Sequence, residues 1–338
     1  MQGEGETRFH DAGEVVVTSR PLPVRKESRF VDKADLGALL RLGLYSAGIR
    51  MLPEARWAGF CRAIPQKRGR SARRRMEMGL RAFFGEGKTE AEIETISSDF
   101  RRGLARRLML TASEANPHWA PALDLHDGHR IRQALDRGKG VILWCDAFTS
   151  QSLIGKRMLH EHGYRGSQVS LYEHGYSTSW LGRRLINTIQ QKQELRHAER
   201  LDFDRGQAPG VVRRVQRVLR SGGLVMISNN IATATSVAEM PFGDAGRLVV
   251  AIGPARIAAS CQAALLPYAV VEEEPFRRYV GFVGDDLLGA GTPENAGSME
   301  RSNGAVLAYR RWIEPLVSGY PAQWMRWASV APRGEPEE

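Results

Sequence analysis

The sequence predicts an α/β protein with a largely parallel central sheet covered by helices, preceded by a helical N-terminal region. Three observations carry this prediction. Short apolar runs of strand length recur from residue 141 onward, several of them led by glycine. Stretches of helical length separate those runs, the alternation that builds parallel sheets. Before residue 125 the apolar positions follow helical spacing instead. At 338 residues, 42% apolar and 25% charged, the chain has an ordinary globular composition and enough length to bury a large core.

Taken in order, residues 1–32 read as a flexible polar N-terminus. Residues 33–330 read as a single domain, helical over 33–125 and sheet-containing over 126–330, with 331–338 as a tail. From Ala34, positions Leu36, Leu39, Leu40, Leu42, Leu44 and Ile49 fit an amphipathic helix that also carries Arg41 and Arg50. Such a helix packs on a core or lies on a membrane surface. The run QKRGRSARRR at 66–75 places six basic residues in ten. It is either a solvated face or a contact for anionic headgroups or a carrier protein. No aromatic interleaving accompanies it, which argues against nucleic acid. Thr89 and Glu92 form a capping box for a helix running to about residue 111. Its basic face carries Arg101, Arg102, Arg106 and Arg107.

The segment GKGVILWCDAFTSQSL at 138–153 organises the sheet-containing part. Glycines punctuate the end of a helix over 128–137, and Val141, Ile142, Leu143 and Trp144 form a strand apolar on both faces. A small polar loop then leads to a helix over 151–162, with Thr149 as its candidate N-cap. Ligands of open α/β sheets gather outside the carboxyl ends of strands, so residues 145–152 are the first place to look for chemistry. Further strands are expected at 167–172, 224–228, 264–272 and 279–283. Helices are expected at 180–193, 209–220, 248–261 and 305–316.

The formal charge of +10 makes anionic partners plausible: phospholipid headgroups, nucleic acid or an acidic carrier. Three widely spaced cysteines suggest a reducing compartment. The N-terminus has no basic and apolar leader pattern, and no stretch reaches 18 uninterrupted apolar residues, so neither a signal peptide nor a spanning helix is expected.

Several motifs carry a resemblance. Gly138-Lys-Gly-Val-Ile-Leu-Trp leads into Cys145-Asp-Ala-Phe-Thr-Ser-Gln-Ser152. Later come Gly223-Leu-Val-Met-Ile-Ser-Asn-Asn230, Pro241-Phe-Gly243, Gly253-Pro-Ala-Arg-Ile-Ala258, Ala264-Leu-Leu-Pro267 and Pro321-Ala-Gln-Trp-Met-Arg-Trp327. In this order they resemble the lauroyl/myristoyl acyltransferases of lipid A biosynthesis, within the glycerolipid and lysophospholipid acyltransferase superfamily. The resemblance covers roughly residues 36–330. It implies a glycerolipid-acyltransferase-like fold and transfer of a fatty acyl group from a thioester to a hydroxyl or amine acceptor. The implied partners are an acyl-carrier protein or acyl-coenzyme A and an anionic membrane lipid. No metal or cofactor is implied beyond the acyl thioester as co-substrate. The implied location is peripheral, on the cytoplasmic side of the inner membrane; oligomeric state is left open.

The chain departs from the pattern where the chemistry resides. That family uses His-x4-Asp/Glu, the imidazole as base and the acid to orient it. Anchored on Phe148, the His position is Ala147 and the acid position is Ser152. The family's Asp-Gln pair is here Asn229-Asn230. Other residues nearby could substitute. Glu173 and His174 follow the second strand of the sheet-containing part. Asp146 is a displaced base or a helix cap. Cys145 could take an acyl group as a thioester if its pKa were lowered, or is simply a small buried residue. His197 and Asp202 repeat the spacing at the frequency chance predicts. For binding, Arg183 and Arg184 match the family's phosphate-meeting region or are a solvated pair. Phe242, Gly243 and Gly253 shape a close backbone approach beside the acyl site or form an ordinary turn and helix packing. Trp312, Trp324 and Trp327 form core or interface. The functional expectation is a divergent acyltransferase with a non-standard site; its alternative is an inactive acyl-lipid-binding pseudoenzyme or partner subunit.

Overall fold

The computed structural model describes residues 10–11, 15–19, 30, 32–64, 70–171, 175, 177, 179–203, 208–229, 234–289 and 297–333. Two short strands, β1 (His10–Asp11) and β2 (Val15–Ser19), precede four helices: α1 (Lys33–Met51), α2 (Trp57–Ala63), α3 (Arg70–Phe84) and α4 (Glu90–Ser113). The capping box read from Thr89 and Glu92 opens α4, and a second one, Asp32 with Asp35, opens α1. Contrary to the expected irregular lead-in, β2 pairs with a later strand, and Val15 and Val17 are buried against it. Their alternation Val-x-Val is a half-buried strand pattern set in an otherwise polar segment.

The remaining elements are β3 (Ala122–His126), α5 (His129–Asp136), β4 (Val141–Cys145), α6 (Ile154–Glu161) and β5 (Gly166–Leu171). Next come α7 (Trp180–Gly182), which runs through a π turn into α8 (Thr188–Glu194), then β6 (Glu199–Phe203), α9 (Ala208–Arg220) and β7 (Leu224–Ser228). The chain closes with β8 (Ser236–Phe242), β9 (Gly246–Ala251), α10 (Gly253–Cys261), β10 (Ala264–Glu274), β11 (Arg278–Val283), α11 (Ser298–Gly319) and β12 (Val330–Pro332).

A seven-stranded sheet, in the order β3-β11-β10-β4-β7-β5-β6, forms the centre. Strands β10, β4, β7, β5 and β6 are mutually parallel; β11 runs against β10 and carries β3 beside it. The fold is thus α/β with a mostly parallel sheet, as the sequence predicts. Every residue of β4 is buried. Val141, Leu143 and Cys145 face a core built with α1, α2, α4, α5 and α6, while Ile142 and Trp144 face a core shared with α9, α10 and α11. Two-sided cover is why VILWC is apolar without alternation.

A second sheet, β1-β2-β8-β9-β12, is antiparallel and packs with α3 against the second core. Here the expected helix over 248–261 divides. Residues 246–251 form β9, and the helix begins at Gly253 with Pro254 in its first turn. Proline there lacks only an N–H that would be unpaired in any helix start, so it marks the true boundary. Likewise β12 begins inside the domain boundary assigned at 330 and reaches into the expected tail. Gly79 lets α3 meet the C-terminal segment: a Cβ there would sit 1.9 Å from the Trp327 carbonyl oxygen. Among the described residues no helix is long and apolar enough to cross a membrane.

Candidate functional site

Strands β4 and β7 are neighbours, yet the chain leaves them toward opposite faces. After β4 it forms α6 on one face; after β7 it forms β8, β9 and α10 on the other. Such a divergence opens a crevice at the carboxyl ends of the strands. A cleft of about 350 Å³ lies there, lined by residues at or just beyond the ends of β4, β5, β6 and β7 together with Arg107 of α4 and Met325, Arg326 and Ser329. Its size is at the small end for ligand sites.

The loop after β4 is not the helix start that the sequence predicts. Thr149 donates its N–H to the Gln323 carbonyl (2.9 Å), Met325 donates to the Ala147 carbonyl (2.8 Å), and Phe148 bridges Trp324. The C-terminal segment therefore pins residues 147–149 by backbone pairing, and α6 begins only at Ile154, without a side-chain cap. Ala147 and Ser152 both line the cleft.

Asp146 is buried, and both of its carboxylate oxygens are hydrogen-bonded. Oδ2 accepts from the Tyr309 hydroxyl, Oδ1 accepts from the Ala147 N–H, and Arg326 Nη1 lies 3.8 Å away. Asp146 thus orders the loop that comes after it and caps no helix. Tyr309 stacks on Trp144 at 4.5 Å, and its oxygen also accepts from Asn229 Nδ2 (3.3 Å). Burial, reinforced by the Asp146 charge, pushes the Tyr309 phenol well above its ordinary pKa, so the phenol remains the donor. Asn229 is fixed in turn: its N–H donates to the Cys145 carbonyl (2.8 Å), and its Oδ1 accepts from Ala251 N–H (3.1 Å). Arg326, itself buried, donates from Nη2 to the Val249 carbonyl. Four side chains from β4's loop, β7's end, α11 and the C-terminal segment thus converge on one edge of the cleft.

Gln168 Oε1, on β5, and Arg326 Nη1 are buried polar atoms of cleft-lining residues that lack a hydrogen-bond partner among the described residues. Both residues are more than nine-tenths buried. Groups placed this way carry a desolvation cost that a ligand would relieve. Phe148, Val169, Leu171, Phe203, Ile227 and Met325 supply the apolar lining.

Most of the other residues predicted from the sequence sit elsewhere. Glu173, His174 and Asn230 lie outside the described residues. The Cys145 thiol faces the α6 side of the sheet and is not part of the cleft lining, and burial pushes its pKa up to about 12. It has no thiolate to offer near neutral pH. His197 does not meet Asp202; its Nε2 is 2.6 Å from Glu114, while Asp202 pairs with Arg200. Arg183 and Arg184 sit in the π turn between α7 and α8, outside the cleft lining, with the Arg184 guanidinium 5.2 Å over the Trp180 ring. Phe242 is a core residue packed on Phe83 and Trp324. Gly243, at φ +66°, makes a close backbone approach, but to Phe83 of α3. A Cβ on Gly253 would meet nothing, so no close approach is required there. Trp324 and Trp327 are core, and Trp312 packs half-buried against it.

Sequence reasoning misses Tyr309, Arg326 and Gln168. Arg326 carries a signal, as the one charge inside Trp-Met-Arg-Trp. Tyr309 and Gln168 carry none, because only the tertiary fold brings α11 and β5 to this edge. Among the described residues no three His, Cys, Asp or Glu side chains converge as a metal site. Compared with models of protein families and with curated proteins, the chain matches none.

Proposed function

We propose that this chain has a glycerolipid-acyltransferase-like fold and holds an acyl thioester or acyl lipid in the cleft, without the usual acid–base dyad. One observation carries the reading: Ala147 and Ser152, the two positions where the resembling enzymes carry their base and acid, both line the cleft. The position remains; the proton-transfer groups do not. Neither side chain can accept a proton from a hydroxyl near neutral pH, and Asp146 is already committed to Tyr309 and Ala147.

The lining suits such a ligand. Apolar side chains match an acyl chain. Arg326 Nη1 is placed to donate to a carbonyl or phosphate oxygen, and Gln168 Oε1 to accept from a hydroxyl or amide. The acyl group is presented on an acyl-carrier protein or coenzyme A, and the protein works at the cytoplasmic surface of an anionic membrane as a binding or partner subunit. A second reading is acyl transfer with Glu173 and His174 as a relocated pair. It is favoured because Leu171 lines the cleft and His174 comes three residues later, a chain reach of at most about 11 Å.

The test is retention of label. Purified protein is equilibrated with radiolabelled acyl-coenzyme A or acyl-carrier protein and passed through a sizing column, beside an Ile227→Trp variant that fills the cleft. Wild type should retain label, and the variant about tenfold less. Equal retention by both would remove the ligand from this cleft.

A further inference from the structure

α1 is apolar on two opposite faces. Leu42, Tyr45 and Ile49 are buried in the core beside the sheet. Leu36, Leu40, Leu44 and Met51 stand on the other side with large exposed areas, 67% for Leu40 and 81% for Met51. At 3.6 residues per turn these four fall within about 80° of arc, with Ala47 among them. Packing on the core explains the first face and leaves the second without cause. A solvent-facing helix surface ordinarily carries the charge.

The neighbouring segment extends the same surface. Ser179, which caps α7, donates its hydroxyl to Asp35 of α1, and Leu181 N–H donates to the Phe30 carbonyl (3.1 Å). Phe30 stacks on Trp180 at 5.0 Å. Phe30, Trp180, Leu185 and Ile189 are exposed. Together with the α1 stripe they make up eight of the eleven large exposed apolar side chains of the described residues. That concentration marks an interaction face rather than scattered surface hydrophobes.

Charge says what covers it. Between residues 36 and 53 the charged residues are Arg41 and Arg50; between 180 and 193 they are Arg183, Arg184 and Lys192. Neither stretch holds an acid. The flanking Asp35 and Glu194 are buried and paired, with Ser179 and with Lys156; Asp32 stands exposed at the N-cap, and Glu54, just past the helix, pairs with Arg277 (3.6 Å). An apolar stripe whose own stretches carry cations and no acid suits an anionic bilayer surface, where apolar side chains enter the acyl boundary and guanidinium groups reach headgroups. Trp180 beneath the Arg184 guanidinium has the amphipathic character of an interfacial residue.

We propose that the exposed face of α1, with residues 180–189 beside it, docks the protein on an anionic lipid bilayer, α1 lying in the plane of the interface. This deepens the membrane-surface part of the functional reading and stands independently of what the cleft binds.

Sedimentation with phosphatidylcholine vesicles, with and without phosphatidylglycerol, tests it. Wild type should sediment with the anionic vesicles, and added salt should weaken the binding. Leu40→Glu with Leu44→Glu, both at exposed positions, should keep the circular dichroism and melting of wild type and bind at least about tenfold more weakly. Ile227→Trp should bind vesicles like wild type, which separates failure of the cleft from failure of the docking face. The proposal is overturned if the folded double variant sediments like wild type, or if neutral vesicles bind equally well. It is also overturned if wild type ignores vesicles and self-associates through this face, dissociating in the double variant.

Discussion

Tyr309→Phe probes the polar edge of the cleft by deleting one oxygen. That hydroxyl donates to Asp146 and accepts from Asn229 Nδ2. The ring, stacked on Trp144, stays in place. Losing a hydrogen bond to a charged acceptor costs about 1.5–3 kcal/mol, and losing the neutral one about 1 kcal/mol. Both partners are buried. The variant should therefore lose about 2.5–4 kcal/mol in urea unfolding, with an unchanged dependence on denaturant. The same substitution in an Asp146→Asn background meets a neutral acceptor and should cost about 1–2 kcal/mol. The difference, about 1–2 kcal/mol, is the coupling between the two residues. A loss below about 0.5 kcal/mol, or the same loss in both backgrounds, would refute a phenol donating to a buried carboxylate.

Other perturbations draw on the same geometry. Lys156 and Glu194 form a buried pair joining α6 to α8, so Lys156→Ala should cost about 3–5 kcal/mol, and Lys156→Met with Glu194→Gln clearly less, by chemical denaturation. Equal costs would mean that the lone carboxylate is not stranded. Cys145, held protonated by burial, should resist alkylation in the native state while the half-buried Cys261 reacts, as read by mass spectrometry of the modified peptides. Comparable labelling of the two would contradict the placement of the Cys145 thiol. Glu92 is held at about 2, against an ordinary 4.5, by the Lys88 ammonium and then by the Thr89 N–H. Its folded-state pKa is lowered, so its contribution is present above pH 4.5 and is lost as pH falls toward 2. Glu92→Gln should flatten melting temperature against pH in that window; an unaltered slope would show that the capping box does not depend on the charge.

How much of the fold is legible in the sequence depends on whether a signal is local. Val141–Cys145 announces itself because a strand covered on both faces has no polar positions, and the capping box at Thr89 because its partners are three residues apart. The cleft's location comes from strand-end logic, and Asp146, Ala147, Ser152 and Asn229 are legible as its lining. The boundary near 252 is lost because β9 runs into an apolar helix, making Leu-Val-Val-Ala and Ile-Ala-Ala look like one pattern. β3 escapes notice as an edge strand with polar residues among its apolar ones. The delayed start of α6 depends on Gln323, some 170 residues away, which no local pattern records. Tyr309 likewise reaches Asp146 only through tertiary packing.

A cleft that holds an acyl group without transferring it separates binding of label from its movement into lipid. The direct measurement offers radiolabelled acyl-carrier protein and acyl-coenzyme A, with a total lipid extract, to wild type, Ile227→Trp and His174→Ala. Under the proposed function, label should be bound to wild type and to His174→Ala, little should be on Ile227→Trp, and none should move into lipid. Label appearing in lipid with wild type, and abolished by His174→Ala, would contradict it and establish a transferase with a relocated base.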